Sequence, residues 1–188
     1  MVAVQENFPR FTPEEYFEWE EKQELRYEYL DGEVYAMSGG TVNHGQIAIN
    51  FAIILGTHLS QSKCRVLSSD VKVEVQKSTK FIYPDLSVTC DDQDENANNF
   101  ISHPCLIVEV LSPSTEGYDR GEKFYLYERS NSLKDYVLVN TNKIEINLYK
   151  KDDLGKWQII KYVAGELVEL ESINLSFPIE EVFRGIKF

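Results

Sequence analysis

The run CLIVEVL at 105–111 constrains this chain more than any other segment. An almost unbroken apolar stretch of this length is the signature of a strand buried on both faces, as occurs where helices cover both sides of a sheet. Its one polar residue, Glu109, stands in the middle. A lone ionised carboxylate buried there costs many kcal/mol, so the fold must neutralise it, pair it or hand it to a cation.

The segment FIYPDLSV at 81–88 repeats the anomaly with Asp85, 24 residues before Glu109. Taken singly, each acid is well explained by a strand end or a lysine partner. Two acids on neighbouring inner strands point instead to a hard-metal site, because magnesium takes one or two carboxylates from a protein. The following segment, STEGYDRGEKFYLYERS at 114–130, reads as a helix starting at Ser114 or Thr115. Asp119, Lys123 and Tyr127 fall at i, i+4 and i+8 on one helix face, and a crossover helix packs over the strand that feeds it. Lys123 is thereby placed to reach the two acids and to stabilise negative charge or orient a nucleophile in phosphodiester hydrolysis. An ordinary exposed helix lysine is the competing reading.

The remaining pattern surrounds these strands. A first helix runs from Thr12 and Pro13 to about Lys22, with Glu14 and Glu15 in its first turn. Asp31-Gly32 predicts a hairpin between Arg26 to Leu30 and Glu33 to Met37, because both central positions of that turn need positive φ. In that register Glu28 lies opposite Tyr35 and shares a face with Leu30, inward or outward. The longest helix spans Thr41 to Leu59, capped by Thr41. Strands are expected at Arg65 to Val75, Phe81 to Thr89, Cys105 to Leu111, Asp135 to Asn140, Lys143 to Tyr149 and Trp157 to Val163, with a short helix at Pro178 to Phe183. DDQDENANN at 91–99 reads as an exposed loop.

The 188 residues suit a single domain, 1–188. A net charge of -12 gives no electrostatic footprint of a dedicated nucleic-acid binder, so any such substrate must be held locally. The first residues lack a signal-peptide pattern and no run approaches a membrane span, which predicts a cytoplasmic protein with no membrane association. Cys64, Cys90 and Cys105 form no CxxC pair, and their odd number fits a reducing compartment better than a disulfide framework or a zinc site. His44, His58 and His103 show no HExxH spacing, and Ser112 and Ser114 no GxSxG elbow, so neither a zincin nor a serine hydrolase is supported. The Ser-Gly-Gly-Thr stretch at 38–41 lacks the lysine of a P-loop and is explained by a strand-to-helix turn.

Five segments together resemble the bacterial restriction-endonuclease family of the PD-(D/E)XK phosphodiesterase superfamily: YEYLDGEVYAMSGGTVNHG at 27–45, SSDVKV at 68–73, YPDLSV at 83–88, IVEVLSPST at 107–115 and DRGEKFYLY at 119–127. They cover about half of the chain in the expected order. The resemblance implies an α/β restriction-endonuclease-like sandwich: a central mixed β-sheet carrying Asp85 and Glu109, helices on both faces, and extra C-terminal antiparallel strands.

It further implies a magnesium-dependent endonuclease, with manganese as a substitute, that cleaves DNA by attack of a metal-activated water. Asp85 and Glu109 are its implied metal ligands, with the Val110 carbonyl as a further one. The usual lysine two residues after the glutamate is replaced by Leu111, and the resemblance moves that role to Lys123. Glu28 matches the acid that completes such sites, while Asp70, Tyr127 and His44 match supporting positions. Analogy with the superfamily implies a homodimer and no organic cofactor. The alternative is a catalytically silent module of the same fold that binds nucleic acid or a protein partner, a reading the negative charge favours.

Overall fold

The computed structural model describes residues 4–5, 8–37, 39–113 and 116–188. After β1 (Val4–Gln5), α1 (Pro13–Glu20) opens with a complete capping box. The Glu15 amide donates to Thr12 Oγ1 at 3.2 Å, and the Thr12 amide to the Glu15 carboxylate at 2.8 Å. β2 (Tyr27–Leu30) and β3 (Glu33–Ala36) form the expected hairpin, with Asp31 at φ 51° and Gly32 at φ 95°, and Glu28 pairs with Tyr35 as the turn dictates. Thr41 caps α2 (Val42–Leu59) by accepting from the His44 amide.

The two strands expected at 65–75 and 81–89 are each broken in two. β4 (Arg65–Ser68) and β5 (Lys72–Gln76) are separated by a turn in which Ser68 and Arg26 engage Asp70. β6 (Lys80–Ile82) and β7 (Leu86–Thr89) are separated by Tyr83, Pro84 and Asp85. Pro84 has no N–H to give a ladder, so the chain leaves one sheet there and enters the other. β8 (Phe100–Ile101) and β9 (Pro104–Val110) follow. The predicted crossover helix is interrupted: α3 (Glu116–Tyr118), a π-helical turn (Asp119–Lys123) and α4 (Phe124–Tyr127). Its expected start at Ser114 or Thr115 lies outside the described residues. β10 (Asp135–Val139), β11 (Glu145–Lys151) and β12 (Trp157–Val163) alternate as expected, and an unforeseen hairpin, β13 (Leu167–Leu170) with β14 (Leu175–Pro178), precedes a 3₁₀ turn at Ile179–Glu181 in place of the terminal helix.

Two six-stranded sheets result, ordered β1-β3-β2-β6-β5-β8 and β12-β11-β10-β9-β7-β4. The second is mixed, since β9 runs parallel to β10 and antiparallel to β7. Strand alternation sends Leu106, Val108 and Val110 into one core with α2, and Ile107 and Leu111 into another with Tyr127, Tyr136 and residues of the first sheet. Glu109 therefore faces the second core, between the sheets. A third, aromatic core of Tyr16, Tyr27, Tyr29 and Phe81 joins α1 to the outer sheet.

Two expectations are corrected. The loop at 91–99 is not wholly exposed: Asp94 is buried and accepts from Thr89 Oγ1 (2.7 Å) and from the Ser102 and His103 amides (2.9 and 3.0 Å). The reading of the cysteines against a disulfide is overturned, because Cys64 and Cys90 form one. The antiparallel register that pairs Arg65 with Thr89 sets these two residues opposite one another, with Cα atoms 4.1 Å apart. Cys105 is a free thiol 3.8 Å from Cys90 Sγ, and burial pushes it up to about 11. Among the described residues, no helix is long and apolar enough to cross a membrane.

Candidate active site

The sequence-predicted acids converge where the two sheets meet. Extending the β7–β9 register by one residue from Leu86↔Val108 places Asp85 opposite Glu109. The Val110 amide donates to Asp85 Oδ2 at 2.7 Å, and His44 Nε2, from the first turn of α2, lies 3.2 Å from the same oxygen. Burial opposes ionisation of Asp85, but the His44 hydrogen bond and charge, the Lys123 ammonium and the Val110 amide together outweigh it and hold the carboxyl below its ordinary range. His44 is its complement: burial lowers it, and Asp85 more than restores it, leaving the imidazole above its usual value.

Lys123 projects from the π turn into the centre of the cluster. Its Nζ is 2.8 Å from Glu109 Oε1 and 3.7 Å from Glu28 Oε1, and it donates to the Tyr83 carbonyl at 2.9 Å. Burial works against this ammonium, but Glu109, Glu28, Asp119 and Asp85 hold it charged. Burial pushes Glu109 well above the carboxylate range; Lys123 resists the shift, and Asp119 and Asp85 reinforce it. The two facing acids are thus driven apart, one kept ionised and one pushed toward protonation, which is the arrangement expected at a functional site rather than in an inert core.

Glu28 is buried and faces inward, resolving the choice the hairpin left open. Its Oε1 accepts from the Tyr83 amide (3.2 Å) and its Oε2 from the Tyr118 hydroxyl (3.3 Å). Tyr127 is fully buried against Tyr136, and its hydroxyl has no hydrogen-bond partner among the described residues. Asp70 stands apart from the cluster on the exposed β4–β5 turn, ion-paired to Arg26, because the break between those strands carries it outward. Of Val110 it is the amide that touches Asp85.

Tyr83 is the residue that sequence reasoning missed. Its amide binds Glu28 and its carbonyl binds Lys123, while its hydroxyl donates to Glu20 Oε1 at 2.7 Å, and Glu20 in turn pairs with Lys72 at 2.6 Å. Only its place before Pro84-Asp85 hinted at this. The π turn is a further surprise, since the extra residue per turn found in such bulges is associated with functional sites. It buries Asp119 and Lys123 together.

Four carboxylates, Glu28, Asp85, Glu109 and Asp119, thus crowd round one lysine and one histidine. Glu109 Oε1 is buried and lacks a well-directed hydrogen bond even with Lys123 Nζ beside it. An acidic excess with an orphaned oxygen suits a hard cation that draws two carboxylates from the protein and its remaining ligands from water and phosphate. Among the described residues, no group of three or more His, Cys, Asp or Glu side chains is preassembled at ligand spacing.

A mixed sheet covered by α2 on one face and by α4 and the first sheet on the other, with paired acids at its centre and a lysine over them, defines a restriction-endonuclease-like protein. The comparisons agree. The crystal structure of a "putative nuclease belonging to DUF820" from Anabaena variabilis superposes with a TM-score of 0.74, covering 93% of this chain and 98% of that one at 17% identity, which shows the shared fold. Residues 13–180 match the Uma2 family, described as "Putative restriction endonuclease", and the chain belongs to that family. The uncharacterized Synechocystis protein slr1290 is 46% identical over 181 residues, covering 96% of this chain and 95% of that protein; a second, sll1609, is 27% identical over 162 residues, covering 85% and 91%.

Proposed function

We propose that this protein is a magnesium-dependent endodeoxyribonuclease that also accepts manganese. The observation that carries the reading is geometric: Asp85 and Glu109 face each other in a buried cluster, with the Lys123 ammonium 2.8 Å from Glu109 Oε1. In it, Asp85 and Glu109 would hold the ion, with the Val110 carbonyl as a further ligand and Glu28 and His44 in support. The chemistry such an ion supplies when bound is a water made acidic enough to attack and neutralisation of phosphate charge. Lys123 keeps its proton and sets positive charge against the phosphate oxygens. His44 Nε2 and the Val110 amide fix the direction of the Asp85 carboxylate. Tyr83 holds Glu28 and Lys123 in register through its backbone.

A homodimer fits α2, whose 18 residues carry no Asp, Glu, Lys or Arg and which exposes Val42, Ile49 and Ile53 (89%, 58% and 61%). Two copies with a net charge of -12 each repel least across such a face.

One observation favours the silent-module reading: the Lys123 ammonium already stands 2.8 Å from Glu109 Oε1, in the place a cation would take. The two are separated by measuring melting temperature with and without Mg²⁺ or Mn²⁺, alongside cleavage of supercoiled, linear, branched and single-stranded DNA. The nuclease reading expects a metal-dependent rise, cleavage, and loss of both in Asp85→Asn and Glu109→Gln. A wild type that neither shifts nor cleaves is the silent module.

A further inference from the structure

Beside the carboxylate cluster is a largely apolar cavity of about 460 Å³, lined by Leu30, Tyr118, Gly121, Glu122, Tyr125 and Leu126. It adjoins the site in three ways. Tyr118 belongs to both, donating its hydroxyl to Glu28 Oε2. Leu30 follows Glu28 by two residues on β2 and so shares its face. Gly121 and Glu122 directly precede Lys123 in the π turn, and a Cβ added at Gly121 would meet nothing within 4 Å. Tyr125 is a large aromatic left 52% exposed, and the Arg129 guanidinium lies 4.4 Å from its ring centroid.

The charge of the molecule argues for what this cavity takes. With a net charge of -12, and with Arg10, Lys63, Lys80 and Lys150 paired to Glu33, Asp92, Asp31 and Glu171, the field of the molecule as a whole does not favour a long duplex backbone. Stacking of a base on an aromatic ring needs no phosphate contact. A base inside a duplex is already stacked and paired, so only an unpaired or extruded nucleotide can offer its face.

We propose that this cavity is a nucleobase subsite, and that the substrate class is DNA with an unpaired nucleotide beside the scissile phosphate: single strands, overhangs or flaps in place of uninterrupted duplex. This rests on the nuclease reading above. The base stacks against Tyr125 and Tyr118. The Glu122 carboxylate on the wall accepts from an exocyclic amino group, so cytosine is preferred over thymine.

The test is anisotropy binding of fluorescein-labelled oligo-dC, oligo-dT and a fully paired duplex of equal length, with Ca²⁺ in place of Mg²⁺, to the wild type, Tyr125→Ala and Tyr125→Phe. The expected result is single-strand affinity at least about tenfold above duplex, oligo-dC above oligo-dT, and a loss of about tenfold in Tyr125→Ala that Tyr125→Phe restores. Unchanged thermal melting of Tyr125→Ala excludes misfolding as the cause of the loss. Equal affinity for duplex and single strand, or single-strand binding untouched in Tyr125→Ala, overturns the proposal. If the wild type and Tyr125→Ala cut duplex equally well with Mn²⁺, the subsite falls and the nuclease reading stands. If nothing is cut and no metal shift occurs, yet Tyr125→Ala loses single-strand binding, the nuclease reading falls and the base subsite stands.

Discussion

Replacing Lys123 with methionine keeps the bulk of the side-chain stem and removes only the ammonium. In the wild type that ammonium is buried, 2.8 Å from Glu109 Oε1, 3.7 Å from Glu28 Oε1 and hydrogen-bonded to the Tyr83 carbonyl at 2.9 Å. Taking one partner from a buried ion pair leaves uncompensated charge and costs about 3–5 kcal/mol. For a chain of this length each kcal/mol moves the melting temperature by roughly 2–4 °C, so Lys123→Met should melt roughly 6–20 °C lower without metal.

Glu109→Gln should behave differently. Burial already disfavours the ionised form of Glu109, and Lys123 retains Glu28, Asp119 and Asp85 as counter-charges, so the loss should be smaller than that of Lys123→Met. The double variant should recover part of the loss, with a coupling of about 2 kcal/mol. Urea and thermal unfolding followed by circular dichroism in EDTA measure all three. A Lys123→Met protein as stable as the wild type, or a Glu109→Gln protein as destabilised as Lys123→Met, refutes the electrostatic account. On adding Mg²⁺ or Mn²⁺, the Lys123→Met melting temperature should rise by more than that of the wild type, because a cation then replaces the missing charge.

Away from the site, burial opposes ionisation of Glu145, but hydrogen bonds from Lys161 and Lys143 hold its carboxyl at about 2 in place of 4.5. A depressed carboxylate stabilises above its unfolded value and ceases to do so as pH falls through its folded one, so unfolding between pH 4.5 and 2 should be less steep in Glu145→Gln, which also loses about 1 kcal/mol at neutral pH because both lysines are solvent-exposed. Reducing the Cys64–Cys90 disulfide releases a 26-residue closure and should cost about 3 kcal/mol by urea unfolding. Alkylation of Cys105, followed by mass spectrometry in the oxidised protein, should be slow at pH 7 because its thiol is pushed up to about 11.

What the sequence determined alone was whatever depends on neighbours in the chain. The Asp31-Gly32 hairpin and its Glu28↔Tyr35 register follow from turn dihedrals, and the Thr12 and Thr41 caps from side chains reaching amides three residues on. Glu109 and Asp85 were legible because a carboxylate among apolar strand residues is an anomaly visible without a partner. Alternation along β9 likewise separates Leu106, Val108 and Val110 from Ile107 and Leu111.

Tertiary structure decided everything that depends on which strand pairs with which. The segments 65–75 and 81–89 read as continuous strands, yet each crosses from one sheet to the other, and this carries Asp70 outward to Arg26 while setting Cys64 against Cys90. Local pattern leaves Glu28 free to face either way; it turns inward because Tyr83 and Tyr118, 55 and 90 residues distant, supply its hydrogen bonds. The π turn at Asp119–Lys123 is likewise absent from the local pattern. Side-chain spacing places these residues on one face of any helix, but it does not show that the helix widens there, at the turn that buries Lys123 beside carboxylates from both sheets. Charges so far apart in the chain meet only after folding, and their mutual energy is therefore a property of the fold that no local segment contains.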